Sequence, residues 1–199
     1  MSNNVKQQHY SVSREERNKA NGHPSFLVLF TGLSGSGKST LANHLERKLQ
    51  QKSITTYTLD GDNLRLGLNK DLQFSQEDRK ENLRRMAETG KLLVDAGVVT
   101  LAAFISPLEA DRNMIRSIVG PEDYVEIYLS TSLTECERRD VKGLYLKARK
   151  GIIPDFTGIS APYETPLNPD LVLDTEHMSI ENATSDILTF LTKRFPAFG

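Results

Sequence analysis

Gly32-Leu33-Ser34-Gly35-Ser36-Gly37-Lys38-Ser39 is the stretch from which the rest of the chain is read. It fits the phosphate-loop pattern G-x-x-x-x-G-K-[ST]. Phe26-Leu27-Val28-Leu29-Phe30-Thr31 precedes it as an apolar run of strand length. After Thr40 the leucines Leu41, Leu45 and Leu49 stand four apart, as on one helix face. The chemistry asks for this order. Glycines let the backbone turn tightly and aim N–H groups at a polyphosphate, and the following helix adds its positive end. Residues Gly32 to Thr40 are therefore the candidate ATP-binding loop. Lys38 reaches toward the β- and γ-phosphates, and the Ser39 hydroxyl is the candidate Mg²⁺ ligand. A plain Gly/Ser-rich turn is the alternative, and the strand–loop–helix context argues against it.

The chain has 199 residues, 38% hydrophobic and 26% charged, which suits one soluble domain with a sizeable core. A net charge of −1 argues against broad nucleic-acid or acidic-membrane binding. The single cysteine, Cys136, rules out an internal disulfide and reads as a small buried residue in a reducing compartment. There is no apolar run long enough to span a membrane, and Met1-Ser2-Asn3-Asn4-Val5-Lys6 has no secretory apolar core. The expected location is the cytoplasm.

Residues 1–24 read as a polar arm, with Ser13-Arg14-Glu15-Glu16-Arg17 able to begin a short helix. Ile54 to Leu59 predicts a second strand, ending in Asp60-Gly61-Asp62-Asn63. Ser75-Gln76-Glu77-Asp78 predicts a capping box on a long helix with a stripe of Leu83, Met86, Ala87, Gly90, Leu93 and Val94. Val98 to Ile105 predicts a buried strand stopping at Ser106-Pro107, Asp111 to Val119 a helix, Tyr124 to Leu129 a strand and Leu133 to Asp140 a helix. Residues 142–169 are rich in glycine and proline and read as an irregular lid. Asp170 to Asp174 predicts the last strand, and Ser179 caps the last helix. The alternation predicts an α/β fold: a P-loop kinase-type parallel sheet of about five strands, helices on both faces, one domain over 25–199.

Three strand ends are then expected to meet. Asp60 and Asp62 stand two apart, so one can help hold a Mg²⁺ water shell while the other takes a hydroxyl proton. A hydrogen-bonded turn is the bland alternative. The third predicted strand ends without an aspartate, which makes this pair the better metal-side candidate. Of Arg65, Arg79, Arg84 and Arg85, some serve a solvated helix face, while Arg65 and Arg79 are placed to grip an anionic second substrate. Phe74 and Phe156 suggest stacking on a flat ring, or local loop packing.

Together these residues resemble the adenylylsulfate kinase (APS kinase) family. The resemblance is carried by Phe30 to Thr40, Leu59-Asp60-Gly61-Asp62-Asn63, Phe74-Ser75, Arg79 to Arg85, Ala103-Phe104-Ile105-Ser106-Pro107, Lys142-Gly143-Leu144-Tyr145 and Phe156-Thr157-Gly158-Ile159. It runs from about Val12 to the end with every motif in order. It implies transfer of the ATP γ-phosphate to the 3′-hydroxyl of adenosine 5′-phosphosulfate (APS), giving PAPS and ADP in sulfate activation. It implies ATP, APS and Mg²⁺ as partners and a homodimer. Carried over by position, Asp60, Asp62, Arg65, Phe74, Arg79, Asn82, Ile105, Ser106, Lys142, Leu144 and Phe156 line the APS side. Phe74 and Phe156 sandwich its adenine, and Arg139 lies against the ATP adenine. Lys38, Asp62 and Ser106 are the catalytic candidates, Ser106 as an acceptor-site hydrogen-bonding group or as a phosphoserine. Leu66 stands where the family usually has His, Gln73 where it usually has Gly, and Ser160-Ala161 where Asp-Ser is usual.

The rival readings are a P-loop kinase of another small hydroxyl substrate, a GTPase switch and a non-catalytic ATP-binding scaffold. Asn69-Lys70-Asp71-Leu72 lacks the final aspartate of a guanine-reading motif, and the parts for catalysis are present.

Overall fold

The computed structural model describes residue 6 and residues 8–198. Its centre is a parallel sheet of five strands in the order β2-β3-β1-β4-β5. These are β1 Leu27–Thr31, β2 Thr56–Asp60, β3 Val99–Ala103, β4 Tyr124–Leu129 and β5 Leu171–Leu173. β1 and β3 are buried along their whole length, which is why both read as unbroken apolar runs. The helices are α1 Arg14–Asn21, α2 Lys38–Gln51, α3 Gly61–Leu66, α4 Gln76–Asp95, α5 Glu109–Val119, α6 Leu133–Arg139, α7 Leu144–Arg149 and α8 Ile180–Arg194. α2 and α8 cover one face of the sheet through Leu41, Leu45, Leu49, Ile187 and Leu191. α4 and α5 cover the other through Leu83, Met86, Ile115 and Val119. Gly90 lets α4 lie close on β1, since a Cβ there would stand 2.4 Å from Leu27 Cδ1.

The register brings the site together. Phe30 and Asp60 are both level with Ala103, and Thr31 is level with Tyr128. The loops leaving β1, β2 and β3 therefore emerge side by side at the carboxyl edge of the sheet, where α/β folds bind ligands.

The expected sheet is present, with strand bounds moved by a residue or two. The Asp60-Gly61-Asp62-Asn63 segment differs from a simple turn. Asp60 is the N-cap of α3, its carboxylate accepting from Asp62 N at 2.9 Å. The capping box expected on α4 is only half formed. Ser75 Oγ accepts from Asp78 N, but the Asp78 carboxylate turns to accept from Gln73 N at 3.0 Å, tying the preceding loop to the helix instead. The lid segment is not irregular throughout. It contains α7, and Tyr145, Ala148 and Phe156 form a third apolar cluster with Cys136 of α6.

The N-terminal segment is fastened to its own domain from Ser13 onward. Ser13 and Glu16 form a reciprocal capping box on α1. Arg14 pairs with Asp123 just before β4 and also bonds Ser25; Arg17 reaches Asp95 at the end of α4. Both attachments lie at the amino edge of the sheet, away from the convergent loops.

Candidate active site

The phosphate loop turns where only glycine is comfortable. Gly37 has φ +96° and is the N-cap residue of α2. Two hydroxyls brace the loop from below: Thr175 Oγ1 and Thr131 Oγ1 donate to Ser36 O at 2.8 and 3.3 Å. Arg139 joins the same corner, donating to Thr175 O at 2.8 Å and to Gly35 O at 3.4 Å, with its guanidinium held by Glu135. Lys38 is buried, and its Nζ donates to Gly32 O at 3.0 Å and Leu33 O at 2.7 Å. Burial pushes the Lys38 ammonium down to about 8, against the pull of Cys136, Asp60 and Asp62. Ser39 Oγ donates to Asp60 Oδ2 at 2.6 Å. A hydroxyl and a carboxylate side by side on an exposed rim are hard oxygen donors of the kind Mg²⁺ accepts while keeping water and phosphate in its shell.

Across from the loop, the Asp62 carboxylate pairs with Lys142 of the 142–169 segment, and both side chains are exposed. Ser106 leaves β3 with φ +44°, a left-handed conformation that costs a non-glycine residue on the order of 1–3 kcal/mol. Arg112, fully buried on α5, holds it there by donating from Nη1 to Ser106 O at 2.8 Å. Ser106 Oγ is itself buried with no hydrogen-bond partner among the described residues. Its neighbour Ile105 is half-buried, and Ile105 O accepts from Thr31 Oγ1 at 2.6 Å, which in turn meets Tyr163 OH at 2.9 Å. Glu126, in the middle of β4, is the counter-charge of Arg112 at 3.2 Å, and burial pushes its carboxyl up.

The arginines separate into two groups. Arg84 and Arg85 pair with Glu81, and Arg85 also with Asp71, so they stabilise α4 and the loop before it. Arg65 lies over the exposed Phe74 ring at 4.5 Å and donates to Gln73 O at 2.7 Å. Arg79 donates to Phe74 O at 2.9 Å and Asp155 O at 2.8 Å, so it bridges the two loops that carry Phe74 and Phe156. Burial, then the neighbouring Arg79 charge, lowers the Arg65 pKa. Asn82 is buried, its Oδ1 accepting from Asn69 Nδ2 at 2.8 Å. The two aromatics are not equivalent: Phe74 is 66% exposed, whereas Phe156 is 9% exposed. Leu144 is half-buried at the start of α7 and packs on the cluster that contains Phe156.

Three residues at the site escaped sequence reasoning. Arg112 and Glu126 left a trace, one charge three residues before Ile115 on the buried stripe of α5 and another inside the apolar run of β4. Tyr163 left only an aromatic in a proline-rich lid.

Comparison with known proteins bears on this geometry. A family model described as Adenylylsulphate kinase matches residues 24–174. A "Probable adenylyl-sulfate kinase" of Halalkalibacterium halodurans is 58% identical over 181 residues, 91% of this chain and 90% of that protein. The adenylyl-sulfate kinase of Staphylococcus epidermidis is 51% identical over 190 residues, 96% of each chain. Among solved structures, a Mycobacterium tuberculosis APS kinase in complex with AMPPNP and APS superposes with a TM-score of 0.82 at 49% identity, covering 84% of this chain and 98% of that one.

Proposed function

The chain belongs to the adenylylsulphate kinase family, and from that premise we propose which residues move the ATP γ-phosphate onto the 3′-hydroxyl of APS. The enzyme is an ATP:adenylylsulfate 3′-phosphotransferase, giving PAPS and ADP. Phosphoryl transfer asks mainly for in-line positioning and charge stabilisation. Residues Gly32 to Thr40 cradle the ATP phosphates with backbone N–H groups. Lys38 exchanges the carbonyls of Gly32 and Leu33 for the β- and γ-oxygens, and Arg139 lies against the ATP adenine. Ser39, with Asp60 beside it, would hold Mg²⁺, which would supply charge neutralisation to the phosphates.

On the other side, Arg65 and Arg79 grip the anionic part of APS, Phe74 and Phe156 enclose its adenine, and Asn82, Ile105 and Leu144 line the remainder. Asp62 accepts or orients the 3′-hydroxyl proton once it exchanges Lys142 for substrate. Lys142 then faces the APS anion. Ser106 hydrogen-bonds at the acceptor position, and we propose direct transfer, a reading supported by Ser106 Oγ having no hydrogen-bond partner, and so no base bonded to it, among the described residues. The observation that supports this reading is the Ser39 Oγ–Asp60 hydrogen bond at 2.6 Å, with the Asp62 N–H donating to the other oxygen of the same carboxylate at 2.9 Å.

We further propose that residues 25–199 work as one domain with 142–169 as its lid. The assembly we propose is a homodimer in the cytoplasm. The family resemblance supports the dimer, and the lone buried thiol of Cys136 suits a reducing compartment. No described helix is long and apolar enough to cross a membrane. The test of function is ADP release with ATP alone, with GTP plus APS, and with ATP plus APS. Strong release only with ATP plus APS is expected; equal release without APS would overturn the substrate assignment.

A further inference from the structure

Lys142-Gly143-Leu144-Tyr145 ends on a side chain to which neither half-site gives a role. Tyr145, on α7, is 3% exposed. Its hydroxyl donates to Ser34 O of the phosphate loop at 2.9 Å. Its ring meets the Phe156 ring edge-on, with centroids 5.0 Å apart and planes at 77°. Its own N–H is held by Asp140 Oδ1 at 3.0 Å, which fixes the start of α7 against the end of α6. Three residues earlier, Lys142 is the partner of Asp62.

The contact with Ser34 has a directional consequence. A trans peptide unit is planar, so the Ser34 carbonyl and the Gly35 N–H point opposite ways from one rigid plate. Holding Ser34 O toward Tyr145 aims Gly35 N–H the other way. A polyphosphate that fixes the loop fixes the Tyr145 hydroxyl by the same plate, since turning the plate breaks the bond from that hydroxyl to Ser34 O. The ring of Tyr145 is packed on Phe156, so its placement sets where that aromatic stands. Leu33, also in the phosphate loop, packs against the same cluster of Cys136, Tyr145, Ala148 and Phe156.

We propose that Tyr145 is a positioning residue that couples the two nucleotide sites, its hydroxyl reading the phosphate loop and its ring placing Phe156 for the APS adenine. This rests on the reading of Phe156 as an APS-stacking residue. The two observations are independent contacts on opposite ends of one buried side chain, and deleting the hydroxyl separates them.

The test is APS affinity by calorimetry with and without AMPPNP, in wild type and Tyr145→Phe. In wild type, AMPPNP should tighten APS binding by at least about fivefold, the lower range of coupling between sites. In Tyr145→Phe the ratio should fall to within about twofold of one, with the ring and its packing kept. Phe156→Leu, which keeps apolar bulk but loses the edge-on contact, should lower the same ratio while Tyr145 is intact. This second variant decides the matter if Tyr145→Phe melts early. A wild-type ratio of one, or unchanged ratios in the variants, would overturn the inference while leaving APS as substrate. Failure of wild type to bind APS in either condition would overturn both.

Discussion

Lys38 is a cation folded into its own loop, with carbonyls of Gly32 and Leu33 as partners and burial holding its pKa at about 8. Replacing it with alanine leaves the migrating phosphoryl charge less stabilised, and one such contact is worth ~10²–10³ in rate. Lys38→Ala should lose that much in steady-state turnover, and a variant keeping more than half of wild-type activity would refute its role. The lowered pKa has a second consequence. In the ligand-free protein Lys38 is mostly neutral above about 8, whereas a bound triphosphate favours the ammonium. Binding in that range must take up a proton, so AMPPNP affinity should fall as pH rises through it. Calorimetry in two buffers of different ionisation enthalpy should give an uptake approaching one proton above that range, and only about a tenth of one at pH 7. Uptake that does not change with pH would show that Lys38 stays charged in the free loop. The position of Lys38 and Ser39 at the start of the helix after the loop was legible from spacing alone. The pairing of Asp62 with Lys142 was not, because the partners stand 80 residues apart and only the fold brings them together.

Phe74 and Phe156 sit on elements with different anchoring. Phe74 lies in the loop before α4, exposed beneath Arg65, while Phe156 is buried on Tyr145. Stacking on a base is worth ~1–3 kcal/mol, so Phe74→Ala and Phe156→Ala should each weaken APS more than AMPPNP in calorimetry. Thermal melts should separate them. Truncating a buried aromatic costs about 3 kcal/mol or more, whereas an exposed one stays within about 0.5 kcal/mol, so only Phe156→Ala should melt clearly earlier. Normal APS binding by both variants would remove the proposed sandwich. Strands and long helices were readable because their apolar period is regular, as in β1, α2 and α4. Two short helices were not. In α3, Asp60-Gly61-Asp62-Asn63 is composed of turn residues, and its helical start depends on the Asp60 cap. In α7, six residues between glycines carry too little period to compete with the surrounding prolines, and the helix is held by Tyr145 and Ala148 packing on Cys136.

At the scale of the molecule, the parallel sheet follows from the alternation of strands and helices, and the loops at its carboxyl edge meet. The opposite edge holds α1. Arg14 makes charge-assisted bonds to Asp123 and also reaches Ser25, with both ionic side chains about three-quarters buried. Hydrogen bonds to charged groups contribute ~1.5–3 kcal/mol, so Arg14→Ala should lower stability in urea by about that much and leave turnover intact. Loss of turnover at unchanged stability would mean that the N-terminal segment acts on the site instead. The docking of that segment was hard to read because its charges specify no face until the end of α4 at Asp95 and the turn before β4 at Asp123 are assembled to receive them. In the proposed mechanism Asp62 and Ser106 share one acceptor position, with no covalent step between ATP and APS. The direct measurement is the stereochemistry of a single turnover from chiral γ-labelled ATP to APS, in wild type, Asp62→Asn and Ser106→Ala. Inversion at phosphorus in PAPS, with Asp62→Asn losing far more rate than Ser106→Ala, is the predicted result. Retention at phosphorus, with label on Ser106 and an inactive Ser106→Ala, would contradict it.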